Sequence, residues 1–189
     1  MSEFKTPYNM ETEIDKVTLR DKAVDSIQMD KGLKFILGKL ESIEDQKLKA
    51  KVLGEAGVYA RILNKYDISQ KLLEQSISLY ETQLLNMNAL VIQIRLTTLF
   101  YWQGKFDASV SSFTKIIHLI KGMNNVKANP LLAFAFQHFG KCRFEQKRYS
   151  EAMTLFSEAH QLRLIDGDLD LINSTQFAME VTQKKIDQV

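Results

Sequence analysis

The chain carries one cysteine, Cys142, two prolines and eight glycines in 189 residues. A single thiol excludes an intramolecular disulfide framework. The N-terminal stretch MSEFKTPYNMETEID has neither an apolar signal core nor an Arg-rich amphipathic transit pattern, so a reducing, cytoplasmic setting is expected. Glycine and proline fall below their average usage of about 7% and 5%, and so few breakers favour long helices. Charge of one sign is also lacking. With 25 Lys+Arg against 23 Asp+Glu the formal charge is +2, which excludes a strongly basic nucleic-acid binder and a polyanionic tail. No apolar run approaches the ~18 residues of a membrane span; the longest extends from Leu131 to Phe136. The 45% of hydrophobic residues suffices for one globular domain, because a chain of this size buries roughly 70% of its unfolded surface without help from a metal.

Reactive constellations are missing as well. There is no G-x-x-x-x-G-K-[ST] phosphate loop, G-x-G-x-x-G, H-E-x-x-H, G-x-S-x-G or C-x-x-C. His118, His138 and His160 lie 20 and 22 residues apart, without the i, i+4 spacing that brings two imidazoles to one metal, and read as structural or solvent-facing. Cys142 has no activating base nearby in sequence and reads as a buried small hydrophobe. Asp166, Asp168 and Asp170 suggest a calcium loop, but its sixth position is Leu171 and its twelfth is Phe177 where Gly and Glu are needed. A cap and loop role is expected of them. No enzyme, cofactor or metal is therefore expected.

What is present is helical periodicity. The first 14 residues are polar, carry Pro7 and show no sustained period, so residues 1–14 are expected to be a flexible arm. Val24, Ile27, Leu33, Ile36, Leu37 and Leu40 lay a stripe along a helix from about 22 to 43. Further helices are expected at 46–63, 67–85, 89–103, 107–121, 131–146, 151–164 and 169–186, with Asp67, Asp107 and Ser150 as N-caps and Pro130 in a first turn. No segment shows the two-residue alternation and turn chemistry of a hairpin, so no strand is expected.

Three windows superimpose: GVYARILNKYDISQKLLEQSI from Gly57, TTLFYWQGKFDASVSSFTKII from Thr97 and GKCRFEQKRYSEAMTLFSEAH from Gly140, with starts 40 and 43 residues apart. Each has an aromatic at its turn (Tyr66, Phe106, Tyr149), a small residue three later (Ser69, Ser109, Ala152) and a large apolar residue four beyond that (Leu73, Phe113, Phe156). The small residue admits close helix approach and the aromatic plugs the wedge at the turn. These windows resemble the tetratricopeptide repeat (TPR) family over roughly residues 50–166. The tail HQLRLIDGDLDLINS is similar to the longer-helix variety found in bacterial regulatory and kinesin-light-chain-like arrays. The resemblance implies an all-α, right-handed α-solenoid of antiparallel helix pairs. Repeats would fall at about 50–83, 90–123 and 133–166, within a single domain over 15–189 that has a leading helix at 22–43 and a capping helix at 169–186. Departures from the family pattern are Thr97 and Ser76 in place of Gly and Ala, no closing proline, and Ala60 and Arg61 where aromatics are common.

In this family the first helix of each unit lines a concave groove. Carried over position by position, the first repeat offers Lys51, Val58 and Arg61. The second offers Ile94, Arg95, Thr98, Tyr101 and Trp102, and the third Gln137, His138, Lys141 and Glu145. Arg95 with Tyr101 and Trp102 would form an anchor, since Arg forks to carboxylates and aromatics supply rigid area. Alternatively, Tyr101 and Trp102 pack between neighbouring helices. The subfamily that grips a C-terminal carboxylate uses Lys and Asn where this chain has Gly54 and Val58. It uses Lys and Arg where this chain has Phe134 and His138, so that mode is disfavoured. Excess Arg and Lys among the groove positions suggests a peptide carrying acidic residues. The expected function is a non-enzymatic scaffold for a protein or peptide segment, acting as a monomer or weak homodimer, with no nucleic acid and no membrane as partner. The alternative is a peptide-responsive regulatory sensor that changes curvature to control an effector or partner protein.

Overall fold

A computed structural model describes residues 6–123 and 125–188 of the chain. Among them are eight α-helices and one short hairpin. The chain resolves into two compact units. The first comprises the N-terminal stretch through Asp15 together with Asp21–Leu99, the second Lys16–Arg20 together with the chain from Phe100 onward.

In the first unit, β1 (Thr12–Ile14) pairs antiparallel with β2 (Asp21–Ala23), Glu13 opposite Lys22. Helix α1 (Ser26–Lys39) starts where the Asp25 carboxylate accepts the Ile27 and Gln28 N–H groups at 3.0 and 2.9 Å. It ends in a 3-10 turn at Leu40–Ser42. Its Leu33 and Ile36, with Leu40 and Ile43 beyond, close over Val52, Leu53, Ala56 and Ala60 of α2 (Gln46–Ile62). Asp45 caps α2 through the Leu48 N–H at 2.7 Å. Helix α3 (Tyr66–Thr82) returns against α2, and α4 (Asn86–Trp102) supplies Ala89, Ile92 and Leu99 to a second cluster with Ala50, Leu73 and Tyr80.

In the second unit follow α5 (Phe106–Gly122), a 3-10 turn (Val126–Ala128), α6 (Asn129–Glu145), α7 (Tyr149–Asp166) and α8 (Leu169–Ile186). Pro130 stands in the first turn of α6, where its missing N–H costs nothing. Gly167 closes α7 at φ 79°, and Asp168 then caps α8 by accepting the Leu171 N–H at 3.1 Å. Arg163, 5% exposed, joins these two helices: Nη1 donates to the Leu171 carbonyl at 2.8 Å and to the Thr175 hydroxyl.

The repeat is visible in the turns at atomic detail. Asn64, Gly104 and Lys147 each take left-handed backbone, at φ 57°, 77° and 61°. The residue after each donates its N–H five residues back, Lys65 to Ala60, Lys105 to Phe100 and Arg148 to Arg143, at 2.8–3.0 Å. That is the helix-ending motif in which a left-handed residue satisfies orphan carbonyls. The helix pairs then close on small residues. The Ser69 hydroxyl donates to the Gly57 carbonyl at 2.7 Å, and a Cβ at Gly57 would lie 2.7 Å from Leu73 Cγ. In the last pair a Cβ at Gly140 would lie 2.5 Å from Phe156 Cε1, with Ala152 fully buried beside it. Phe113 stacks on Phe139 with centroids 5.3 Å apart.

Three local expectations are corrected. The N-caps are Lys65, Lys105 and Arg148, not Asp67, Asp107 and Ser150. The aromatic that plugs the turn is itself the first helical residue, which leaves Asp67, Asp107 and Glu151 to face the helix dipole from the first turn. Strands occur at 12–14 and 21–23, where none was expected. Of the arm expected over 1–14, residues 1–5 lie outside the described residues. Its remainder is ordered by packing: Tyr8 meets Phe35 edge-on at 6.2 Å, and Met10 packs against the α1–α2 core over Gly32.

Gly140→Ala is expected to cost about 1–3 kcal/mol, because Phe156 must leave its rotamer or push the helices apart. Lys147→Gly, at an exposed left-handed position, is expected to gain roughly 0.5–1 kcal/mol. Urea denaturation of the two variants beside the parent chain checks both signs.

Candidate functional site

The side chains expected to form a binding face come from α2, α4 and α6, and each unit holds its own set. In the first unit Arg61, near the C-terminus of α2, is 2% exposed. Its Nη1 donates to the Arg95 carbonyl and its Nη2 reaches the Asp21 carboxylate, both at 3.4 Å. Arg95 of α4 is half-buried. Burial, and then the Arg61 charge beside it, hold its pKa below the usual guanidinium value, while Glu55, Tyr80 and Tyr59 pull the other way. Burial pushes the Tyr59 and Tyr80 phenols up, so both remain neutral hydrogen-bonding groups near the two cations.

Gly54 makes room for this pair. A Cβ there would lie 2.5 Å from Ile92 Cδ1, 3.2 Å from Ser76 Oγ and 3.5 Å from Arg95 Nη1. The missing side chain thus lets α4 lie close over α2 and brings Arg95 to the level of Arg61. Ile94 and Thr98 are enclosed, 0% and 1% exposed, with the Thr98 hydroxyl donating to the Ile94 carbonyl at 2.9 Å. They are core residues. Lys51 and Val58 are half-buried on α2.

In the second unit Tyr101 and Trp102, 1% and 7% exposed, are enclosed as well. The Arg20 guanidinium lies 4.9 Å over the Trp102 ring. Its Nε and Nη2 donate to both Glu145 oxygens at 2.7 and 2.5 Å. This is a bidentate ion pair stacked on an aromatic, a geometry that a lysine cannot reproduce. His138 meets Phe134 edge-on at 4.5 Å and is 9% exposed. Lys141 is 6% exposed. Gln137 is 3% exposed, and neither atom of its side-chain amide has a hydrogen-bond partner among the described residues.

The residues that sequence reasoning missed are Leu19, Arg20 and Asp21. Leu19 is fully buried with φ 59°; Arg20 pairs with Glu145 in the second unit, and Asp21 pairs with Arg61 in the first. The only signal available was an apolar residue followed by opposite charges inside a polar lead-in. Nothing in local period marks such a run.

Cys142 is fully buried on α6, and burial pushes its thiol up to about 11, with Ser109 hydrogen-bonding it. Among the described residues no cluster of three or more His, Cys, Asp or Glu side chains could hold a metal ion. No helix among them is long and apolar enough to cross a membrane.

Comparisons with known proteins bear on the fold. Neither a protein-family model nor a curated protein sequence matches the chain. Among solved structures it is similar to BtubC (BKLC) from P. vanneervenii, with a TM-score of 0.58 and 11% identity, over 85% of this chain and 71% of that one.

The raised thiol pKa sets an expected pH dependence. Below the unfolded value of about 8.5 both states keep the proton and the stabilisation is complete. As pH rises toward 11 the unfolded thiol ionises first and stability falls. Cys142→Ala should flatten the decline in melting temperature over this range, and native Cys142 should resist iodoacetamide until the chain unfolds.

The pairwise turns and the likeness to BtubC together make the fold an all-α, TPR-like helical repeat.

Proposed function

We propose that the chain is a non-enzymatic scaffold that binds an extended peptide or protein segment along the face formed by the first helices of its repeats. The observation that carries this reading is where the bulky polar side chains lie. Arg61, Gln137, His138 and Lys141 are buried on α2 and α6. In α3 and α5 the buried polar residues are serines that bond helix backbone or fill close-approach sites. Burying large cations and amides costs stability unless they gain partners; the buried Arg163 of α7 finds its partners in α8, whereas the Gln137 amide of α6 has none among the described residues, which favours a recognition role for it. A helical repeat fold of this kind supports protein interaction in general.

The chemistry of the peptide follows from the side chains. Arg95 stands beside Arg61, whose charge helps to hold its pKa down, so an acidic residue of the peptide adds a charge-assisted hydrogen bond there. Gln137 has an amide able to donate to and accept from a peptide backbone, in the manner of a missing strand partner. The helices α2 to α6 are each 17 residues long and α7 is 18, which fits the long-helix variety of the family. The proposed setting is the cytoplasm.

A phage-displayed random 12-residue library selected on the intact chain tests the proposal. Selected peptides are expected to be enriched in Asp and Glu. They should lose about ten- to a hundredfold in affinity on Arg95→Ala, equivalent to ~1.5–3 kcal/mol for a charged hydrogen bond. Gln137→Leu, which leaves charge unchanged, should weaken them less. Failure to select any clone, or clones indifferent to both substitutions, overturns it.

A further inference from the structure

Within the second unit an apolar groove lies open at the corner where α7 ends. One wall is the connection from α5 to α6, with Val126 and Lys127. The other is the end of α7, with Leu162, Ile165 and Asp166, and Pro130 lines the groove as well. Val126 is 76% exposed and Ile165 72%. Single apolar side chains on a surface are ordinary, but these lie on facing walls of one groove and form a strip, the kind of surface that marks a protein contact.

The charges beside the strip stand at the wrong poles of their helices. Asp166 is the last residue of α7, where the helix dipole presents its negative end, and Lys127 lies two residues ahead of α6, whose N-terminus is positive. Each is therefore disfavoured by the helix it adjoins. No ion pair among the described residues relieves either one: in this unit Arg20 takes Glu145, while Arg143 and Arg148 share Glu151. The potential at Asp166 calls for a cation, and that at Lys127 for an anion.

We infer that this groove is a self-association surface, and that its occupant is the same groove of a second copy of the chain. A two-fold axis laid along the groove turns each wall onto the opposite wall of the second copy. Lys127 of either copy then faces Asp166 of the other, and Val126 of either faces Ile165 of the other. That is the isologous contact, in which one patch serves as both halves. A partner of a single charge sign would satisfy one of the two groups and repel the other, whereas an uncharged one would cover the strip and leave both unrelieved. A second copy satisfies both and covers the apolar side chains at the same time. The strip is short, which places the dimer in the weak, small-interface class. The inference does not depend on the peptide-binding reading, since its groups are not those of the candidate binding face.

Sedimentation velocity on the intact chain tests it. Over a range of about 5 to 500 µM the weight-average mass should rise from that of one chain toward that of two, as a weak interface requires. Lys127→Asp and Asp166→Lys, made separately, should each weaken association about tenfold, since each sets like charges together at two places in the dimer. An equimolar mixture of these two variants should associate as tightly as the parent, because every new acid then meets a new base. The double variant, Lys127→Asp with Asp166→Lys, should do the same on its own. Ile165→Asp should abolish association. All three positions are exposed, so helical circular dichroism should stay at the parent value. Should a variant lose its helical signal, hydrogen exchange on the parent chain decides. Protection of amides 126–128 and 164–166 should then grow with protein concentration, and unaltered exchange overturns the inference. A single mass over the whole concentration range also overturns it. So do single variants that associate like the parent, a mixture no tighter than its components, and association that survives Ile165→Asp. None of these results touches the scaffold reading, which the peptide selection tests separately.

Discussion

Close approach of paired helices is the constraint on which the rest of the molecule depends. At Gly57 against Leu73, and again at Gly140 against Phe156, there is no space for a methyl group. The small residue on one helix is filled by the large one on the next, and a hydroxyl at Ser69 or Ser76 ties the second helix to a carbonyl of the first at 2.6–2.7 Å. Interiors packed at this density transmit displacement rather than absorb it. The position of every side chain on α2, α4 and α6 therefore follows from where these contacts fix the helix axes. Gly54 extends the same device to the site: an absent Cβ sets the level at which Arg95 stands beside Arg61.

Buried guanidinium groups serve two purposes here, and their partners tell them apart. Arg163 donates to the Leu171 carbonyl and the Thr175 hydroxyl, both in the first two turns of α8, and so ties α7 to the helix that follows it. Arg61 instead reaches the Arg95 carbonyl and a carboxylate from the segment preceding the repeats, at 3.4 Å each. Such long contacts contribute less than the shorter charge-assisted bonds of a committed ion pair. Arg95, whose pKa is pressed down by burial and then by the Arg61 charge beside it, favours whatever brings negative charge.

Much of this fold is legible in the sequence because its repeating element is local. The turn residues Tyr66, Phe106 and Tyr149, with Ser69, Ser109 and Ala152 after them, recur at fixed offsets, and the helix boundaries fall within a few residues of where the stripes place them. The N-caps fall two residues before the positions that side-chain propensity favours, because the left-handed turn at Asn64, Gly104 and Lys147 ends the preceding helix and so dictates where the next begins. Helix α4 illustrates a second limit. It is apolar nearly all round, so periodicity does not single out a face, and Ile94 and Thr98 prove to be core while Arg95 keeps partial exposure. The hairpin was invisible for a third reason. Its strands are too short to show alternation, and the ion-pair partners of Asp21 and Arg20, Arg61 and Glu145, lie 40 and 125 positions away.

That distance in sequence bears on what the segment is for. A strap that served only to cover a core would be expected to use apolar contacts, as Tyr8 and Met10 do against α1. Beyond Asp15 the chain changes character: one enclosed leucine is followed by a cation and an anion, each matched to a charge of opposite sign. Apolar burial gives affinity without selectivity, whereas paired charges penalise any register in which like charges meet.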